Sequence, residues 1–192
     1  MKDNEQLSFS SLIFDTLFGI AIFFSIDSFM EIKGIPQLLF YAFSIIVIVH
    51  WWLNFKSADD MFTTEVSNSV TDIALGIVEV ILLQYFIINA KDFSYMTSTI
   101  LISIVILLDL AWGLIWRYIG KWKTNNISKI DKMNKELETT IKLDFCILIA
   151  FILILAISSI ISEIWFLALF FLTYIIYIIF SFKLKIIDLE VF

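Results

Sequence analysis

Six apolar stretches, each about twenty residues long, constrain this chain more than any other feature: 12–30, 35–55, 70–89, 97–119, 143–161 and 164–184. A hydrocarbon core of roughly 30 Å is crossed by about 20 helical residues. The runs are continuous, without the alternating ten-residue segments of an outer-membrane barrel. In lipid a continuous apolar run satisfies its backbone only as a helix. The expected fold is therefore all-α, a polytopic membrane protein with six transmembrane helices in one domain spanning residues 1–192. Composition agrees: 60% of the 192 residues are apolar and 17% charged, far short of the polar surface a soluble domain needs. Five Gly and the single Pro36 leave a turn-rich β fold without its punctuation.

Orientation follows from the basic residues. With the N-terminus inside, Lys2, Lys56, Arg117, Lys121, Lys123, Lys129, Lys132, Lys135, Lys142, Lys183 and Lys185 are cytoplasmic, and only Lys33 and Lys91 lie outside. Eleven of 13 basic residues on one side predicts both termini in the cytoplasm. Trp51, Trp52, Trp116 and Trp122 then sit at the inner interface and Trp165 at the outer one, where indole rings prefer to lie. The first residues carry Lys2, Asp3 and Glu5 and no small-residue cleavage site, which does not read as a removable signal peptide. Lone Cys146 gives no internal disulfide, zinc or redox motif. The net charge of −6 says little about nucleic acid, but no basic groove or binding motif appears, and no nucleic-acid partner is expected. A chain rich in Ile, Lys and Asn and poor in Gly and Pro points to an AT-rich prokaryotic genome and hence a plasma membrane.

The segment 120–142 has its own period. Ile127, Ile130, Met133, Leu137 and Ile141 recur at three and four, with lysines between, after a cap at Asn126 or Ser128. It is either an amphipathic helix lying on anionic lipid or a cytoplasmic extension of the fifth helix.

Ionisable side chains inside the spans are the first place to look for function, because a charge at mid-depth costs several kcal/mol. They are Asp15, Asp27, His50, Asp72, Glu79, Asp109 and Asp144. By position in the spans, Asp15, Asp72 and Asp144 fall near the inner face, Glu79 and Asp109 near the middle, and Asp27 near the outer face. Asn68, Asp72, Gly76 and Glu79 share one face of the third helix. Acid followed four residues later by glycine recurs as Asp15–Gly19, Asp72–Gly76 and Asp109–Gly113, each glycine a position for close helix approach. Such carboxyls either work in transport or simply hydrogen-bond in the packing. His50 reads as a proton relay, a metal ligand or a helix-packing histidine, and its own helix holds no acid at ligand spacing. No nucleophile–His–acid set, phosphate loop or HExxH motif is present. Neither enzymatic activity, a bound metal nor a cofactor is expected.

Two segments resemble the endolysosomal-type potassium channels, the family of transmembrane protein 175 and its prokaryotic six-helix homologues. That family's first helix opens with Arg-x-x-x-Phe-Ser-Asp and an Ala- and Ile-rich run. Ile13-Phe14-Asp15-Thr16-Leu17-Phe18-Gly19-Ile20-Ala21-Ile22 is similar from the Asp onward, with Phe14 for Ser and no Arg. Its second helix ends in Trp-x-x-His-x-Arg. Trp51-Trp52-Leu53-Asn54-Phe55-Lys56 is similar, with Asn for His and Lys for Arg. Asp27 and Asp109 depart from the apolar residues expected there. The resemblance covers the whole chain in architecture and about 20 residues in motif. It implies tetramers of six-helix chains, or dimers of doubled ones, with the first helix lining the pore. Ile20, five residues after the motif Asp, would form the constriction, with Phe24 next and Asp27 at the outer mouth. Asp15, Trp51, Asn54 and Lys56 would form the inner polar network.

The function expected from this reading is a channel for monovalent cations, potassium among them, built as a homo-oligomer in the lipid bilayer, a tetramer favoured. No TVGYG-like filter is present, so selectivity would come from side chains and pore width. Two other classes remain open. One is a non-transporting membrane module (an anchor, assembly partner or defence-system effector) that docks through 121–142. The other is a proton-coupled secondary transporter working through Asp72, Glu79 and Asp109, although neither internal repeats nor broken helices are visible.

Overall fold

The computed structural model describes residues 9–65, 70–92, 94–119, 127–184 and 186–187. Every regular element among them is a helix: α1 (Phe9–Met30), α2 (Ile35–Glu65), α3 (Val70–Asp92), α4 (Tyr95–Ile119), α5 (Ile127–Ile157) and α6 (Glu163–Lys183). Four described segments have the length and apolarity to cross a membrane: Ile35–Ser57, Tyr95–Tyr118, Ile130–Ile157 and Glu163–Lys183. Ala74–Asn89 in α3 is a shorter apolar stretch. Apolar helices of this length and number make a multi-pass membrane protein. Large exposed side chains such as Leu107, Ile152, Leu153, Leu172 and Ile179 match a lipid environment and would be a liability in water.

Consecutive helices pack on one another from α1 to α6, and α1 also packs on α3. The short turns explain the adjacency. Between α1 and α2 the chain turns on Glu31 and Ile32, whose N–H groups donate to Ser28 and Phe29 carbonyls at 3.3 and 3.2 Å. The Lys33 N–H donates to the Gln37 side chain at 2.8 Å, tying down the start of α2. Pro36 sits in the first turn of α2, where a missing N–H breaks no helical bond. Between α5 and α6 the chain passes through 158–162, and extended Ser162 opens α6 with its carbonyl accepting from the Phe166 N–H at 3.0 Å.

The amphipathic segment is the first half of α5. Its 31 residues form one helix about 46 Å long, more than a bilayer core requires. The period that the sequence shows packs inward from its middle: Met133 and Leu137 are buried and Ile141 approaches Gly113 of α4, whereas Ile127 is exposed. A Cβ at Gly113 would lie 3.0 Å from Ile141 Cγ1, so glycine there permits a close α4–α5 contact. Arg117 of α4 pairs with Glu138 of α5 at 3.3 Å, and Lys142 reaches the same carboxylate at 2.7 Å.

One half of the interior is aromatic. Phe170 of α6 meets Phe40 and Phe43 of α2, Phe86 of α3 and Phe151 of α5, with ring centroids 5.6–6.4 Å apart. The buried face of α6 runs Phe166, Phe170, Tyr174, Tyr177, Ser181. Its aromatic part thus ends in two phenols as α6 descends into the next layer.

Candidate functional site

Below the phenylalanines the interior becomes polar. Glu79 (α3), Asp109 (α4), Asp144 (α5), His50 (α2) and Tyr177 (α6) each lie 13 to 15 residues from the end of their helix nearest the short turns. At 1.5 Å per residue they occupy one layer, about 20 Å from those ends. Glu79, Asp144 and His50 are 3%, 1% and 3% exposed. Asp109 is half-buried overall, but its Oδ2 is sealed from solvent.

The contacts make the layer one network. Asp109 and Asp144 lie within hydrogen-bonding reach of each other, and Asn54 of α2 lies within reach of Asp109. The Tyr177 hydroxyl donates to Asp144 Oδ1 at 2.8 Å. His50 Nδ1 lies 3.1 Å from the Tyr174 hydroxyl, and its ring packs edge-on against Tyr177 at 5.1 Å. Glu79 lies close enough to feel the charge of both aspartates, and its Oε2 has no hydrogen-bond partner. A carboxyl–carboxyl hydrogen bond exists only with a proton between the two groups. Among the described residues no three His, Cys, Asp or Glu side chains are set to hold a metal ion.

A second polar site joins α1 to α2. Asp15 accepts from Trp52 Nε1 at 2.9 Å and from Lys56 Nζ at 2.7 Å. Of the four residues expected in the inner network, Asp15 and Lys56 meet directly, but the indole is Trp52 rather than Trp51. Trp51 is 1% exposed and packs against His50 and Tyr177. Asn54 turns to Asp109. Successive residues on a helix point about 100° apart, so the two tryptophans serve different neighbours.

The third place is the surface of α1. Phe18, Ala21, Ser25 and Ser28, spaced three and four apart, are buried against the bundle, and Ser25 lies 3.0 Å from the Tyr41 hydroxyl. Ile20 and Phe24, 41% and 47% exposed, and exposed Asp27 lie on a side that no described helix covers. Around Gly19 there is open space, so this glycine, unlike Gly113, permits no close approach within the chain.

Of the expected intramembrane acids, Glu79 and Asp109 come together, and Asp144 completes the set. The side chain of Asp72 lies outside the described ones, as do those of Lys91 and Lys129. Lys2, Asn68, Lys121, Lys123, Trp122, Asn126 and Lys185 also lie outside the described residues. Comparison of the chain with protein families, curated proteins and solved structures gives no match.

Proposed function

We propose that the protein is a channel for monovalent cations, built from several copies of this chain with α1 of each lining a shared pore. In this reading all six helices cross a prokaryotic plasma membrane with both termini inside, and four copies surround the axis. One observation carries it: α1 presents Ile20, Phe24 and the exposed Asp27 carboxylate together on a side turned about 110° from the residues it buries. A carboxylate there is better served by a water-filled path than by lipid tails. Rings of Ile20 and Phe24 would form an apolar throat that gates by dewetting, and a ring of Asp27 would concentrate cations at one mouth. The Asp15–Trp52–Lys56 bonds support this reading because they fix the rotation of α1 on α2, and with it the direction the throat residues face. The resemblance to endolysosomal-type potassium channels points the same way.

The test is flux through purified protein in liposomes. Ile20→Asn should raise potassium flux several-fold and weaken discrimination against sodium, because a polar ring lowers the barrier to wetting. A carrier would instead slow or uncouple. No potassium flux above empty liposomes from wild type and Ile20→Asn alike overturns the channel, as does an oligomer whose α1 faces lipid.

A further inference from the structure

The buried carboxyl layer belongs to neither the α1 face nor the Asp15 network, and a cation pore does not need it. We propose that Asp109 and Asp144, with Glu79 beside them, form an internal proton-binding site that exchanges its proton while the protein stays folded. Asp144 Oδ1 accepts from Tyr177, and Asn54 serves Asp109. Oδ2 of each aspartate is buried with no donor from the chain. The two side chains nevertheless lie within hydrogen-bonding reach of each other, an approach that two carboxyls can satisfy only by sharing a proton. Two further buried groups reach the layer unsatisfied. Glu79 Oε2 has no partner and brings a third carboxyl beside the pair. His50 Nε2 has none either, on a ring packed against the tyrosine that donates to Asp144.

A proton fits this site better than a metal cation. A bound alkali ion draws several oxygens into a shell around itself, whereas carboxyls close enough to hydrogen-bond leave room for a hydrogen only. No metal-holding group of His, Cys, Asp or Glu exists among the described residues. The groups facing the pair are Glu79 from α3, His50 and Asn54 from α2, and Tyr177 with Tyr174 behind it from α6. The nearest basic side chains on α4 and α5 that the structure describes, Arg117 and Lys142, are both engaged by Glu138. No described cation therefore neutralises the pair, and a second negative charge there has only the phenol and amide to stabilise it. Removing the proton sets like charges side by side between α4 and α5, which also approach closely at Gly113 and Ile141. Proton occupancy is thereby coupled to the α4–α5 contact.

The test is infrared spectroscopy of the purified chain in lipid nanodiscs across pH, in light and heavy water. It needs no flux, so its outcome is separate from that of the channel. Wild type should show a protonated-carboxyl band near neutral pH that shifts in heavy water and disappears reversibly at alkaline pH. Asp109→Asn and Asp144→Asn should each remove it, and exposed-site Glu138→Gln should leave it in place. Should the Asn variants fail to fold, Asp109→Glu keeps the carboxyl and should displace the band. Absence of the band in wild type overturns the site, as does its persistence in both Asn variants. A band that never exchanges or titrates makes the proton a fixed structural element and overturns binding. Loss of the band on adding sodium or potassium at constant pH would give the site to a metal cation.

Discussion

Asp15 shows how much one carboxylate can organise. It accepts from two donors of α2, and the Lys56–Asp15 pair is partly shielded, with side chains 22% and 37% exposed. A hydrogen bond to a charged group contributes about 1.5–3 kcal/mol net, and partial exposure moves this pair to the lower end. Asp15→Leu removes the acceptor shared by the Trp52 N–H and the Lys56 ammonium and should lower the thermal midpoint by several degrees. Asp15→Asn keeps an acceptor for the indole and should lose less. The cycle with Lys56→Met should give a coupling of about 1 kcal/mol, and additive losses would mean the pair contributes nothing. The acid was legible as a charge inside an apolar helix, and the base only through the family resemblance that put Lys56 in an inner polar network. Which of two adjacent tryptophans completes the site was not. A sequence gives the angle between Trp51 and Trp52 but not the rotation of α2 against α1.

At the scale of the element, α5 teaches the most. The three–four period of 127–141 was readable, and so was the apolar run after it. Their fusion follows from the absence of Gly and Pro anywhere from 127 to 157, because nothing in that stretch breaks a helix. Placing the start of the helix at 143 put Asp144 at an end, near the membrane surface. With α5 beginning at Ile127, Asp144 lies in mid-helix at the level of Asp109 and Glu79. The sequence thus named Asp144 and allowed the extension of the fifth helix, but counting from 143 set the residue apart from the layer it joins. The α4–α5 contact can be tested directly. Gly113→Leu pushes a side chain into Ile141, and overpacking of this kind costs about 1–3 kcal/mol. Adding Ile141→Ala should recover most of the loss in a thermal melt. No recovery would show that the two helices do not meet at these residues.

For the whole molecule, the asymmetry between its two ends sets how it sits in the membrane. One end has only short connections, 31–34, 93–94 and 158–162, and the other carries the α5 extension with most of the basic residues. The acidic layer lies about 20 Å from the short end. Asp27 is one turn from that end, and Asp15 and Lys56 lie towards the opposite one. If the long end is cytoplasmic, Asp27 faces the outside, where it meets entering cations. Single cysteines at Lys33 and Lys132 report this in a Cys146→Ser background, since native Cys146 is exposed and would itself react. Position 132 is a fair reporter because Lys132 is 77% exposed and its bond to Glu136, at 3.7 Å, is loose. An impermeant maleimide on intact cells should label position 33 and spare position 132, which should react only after permeabilisation. The reverse pattern would invert the protein and place the Asp27 ring at the cytoplasmic mouth. Throat and carboxyl layer would survive that inversion, because both depend on helix packing and not on which side faces out. Labelling at both positions on intact cells would mean that 33 and 132 share a side of the membrane, against their placement at opposite ends of the bundle.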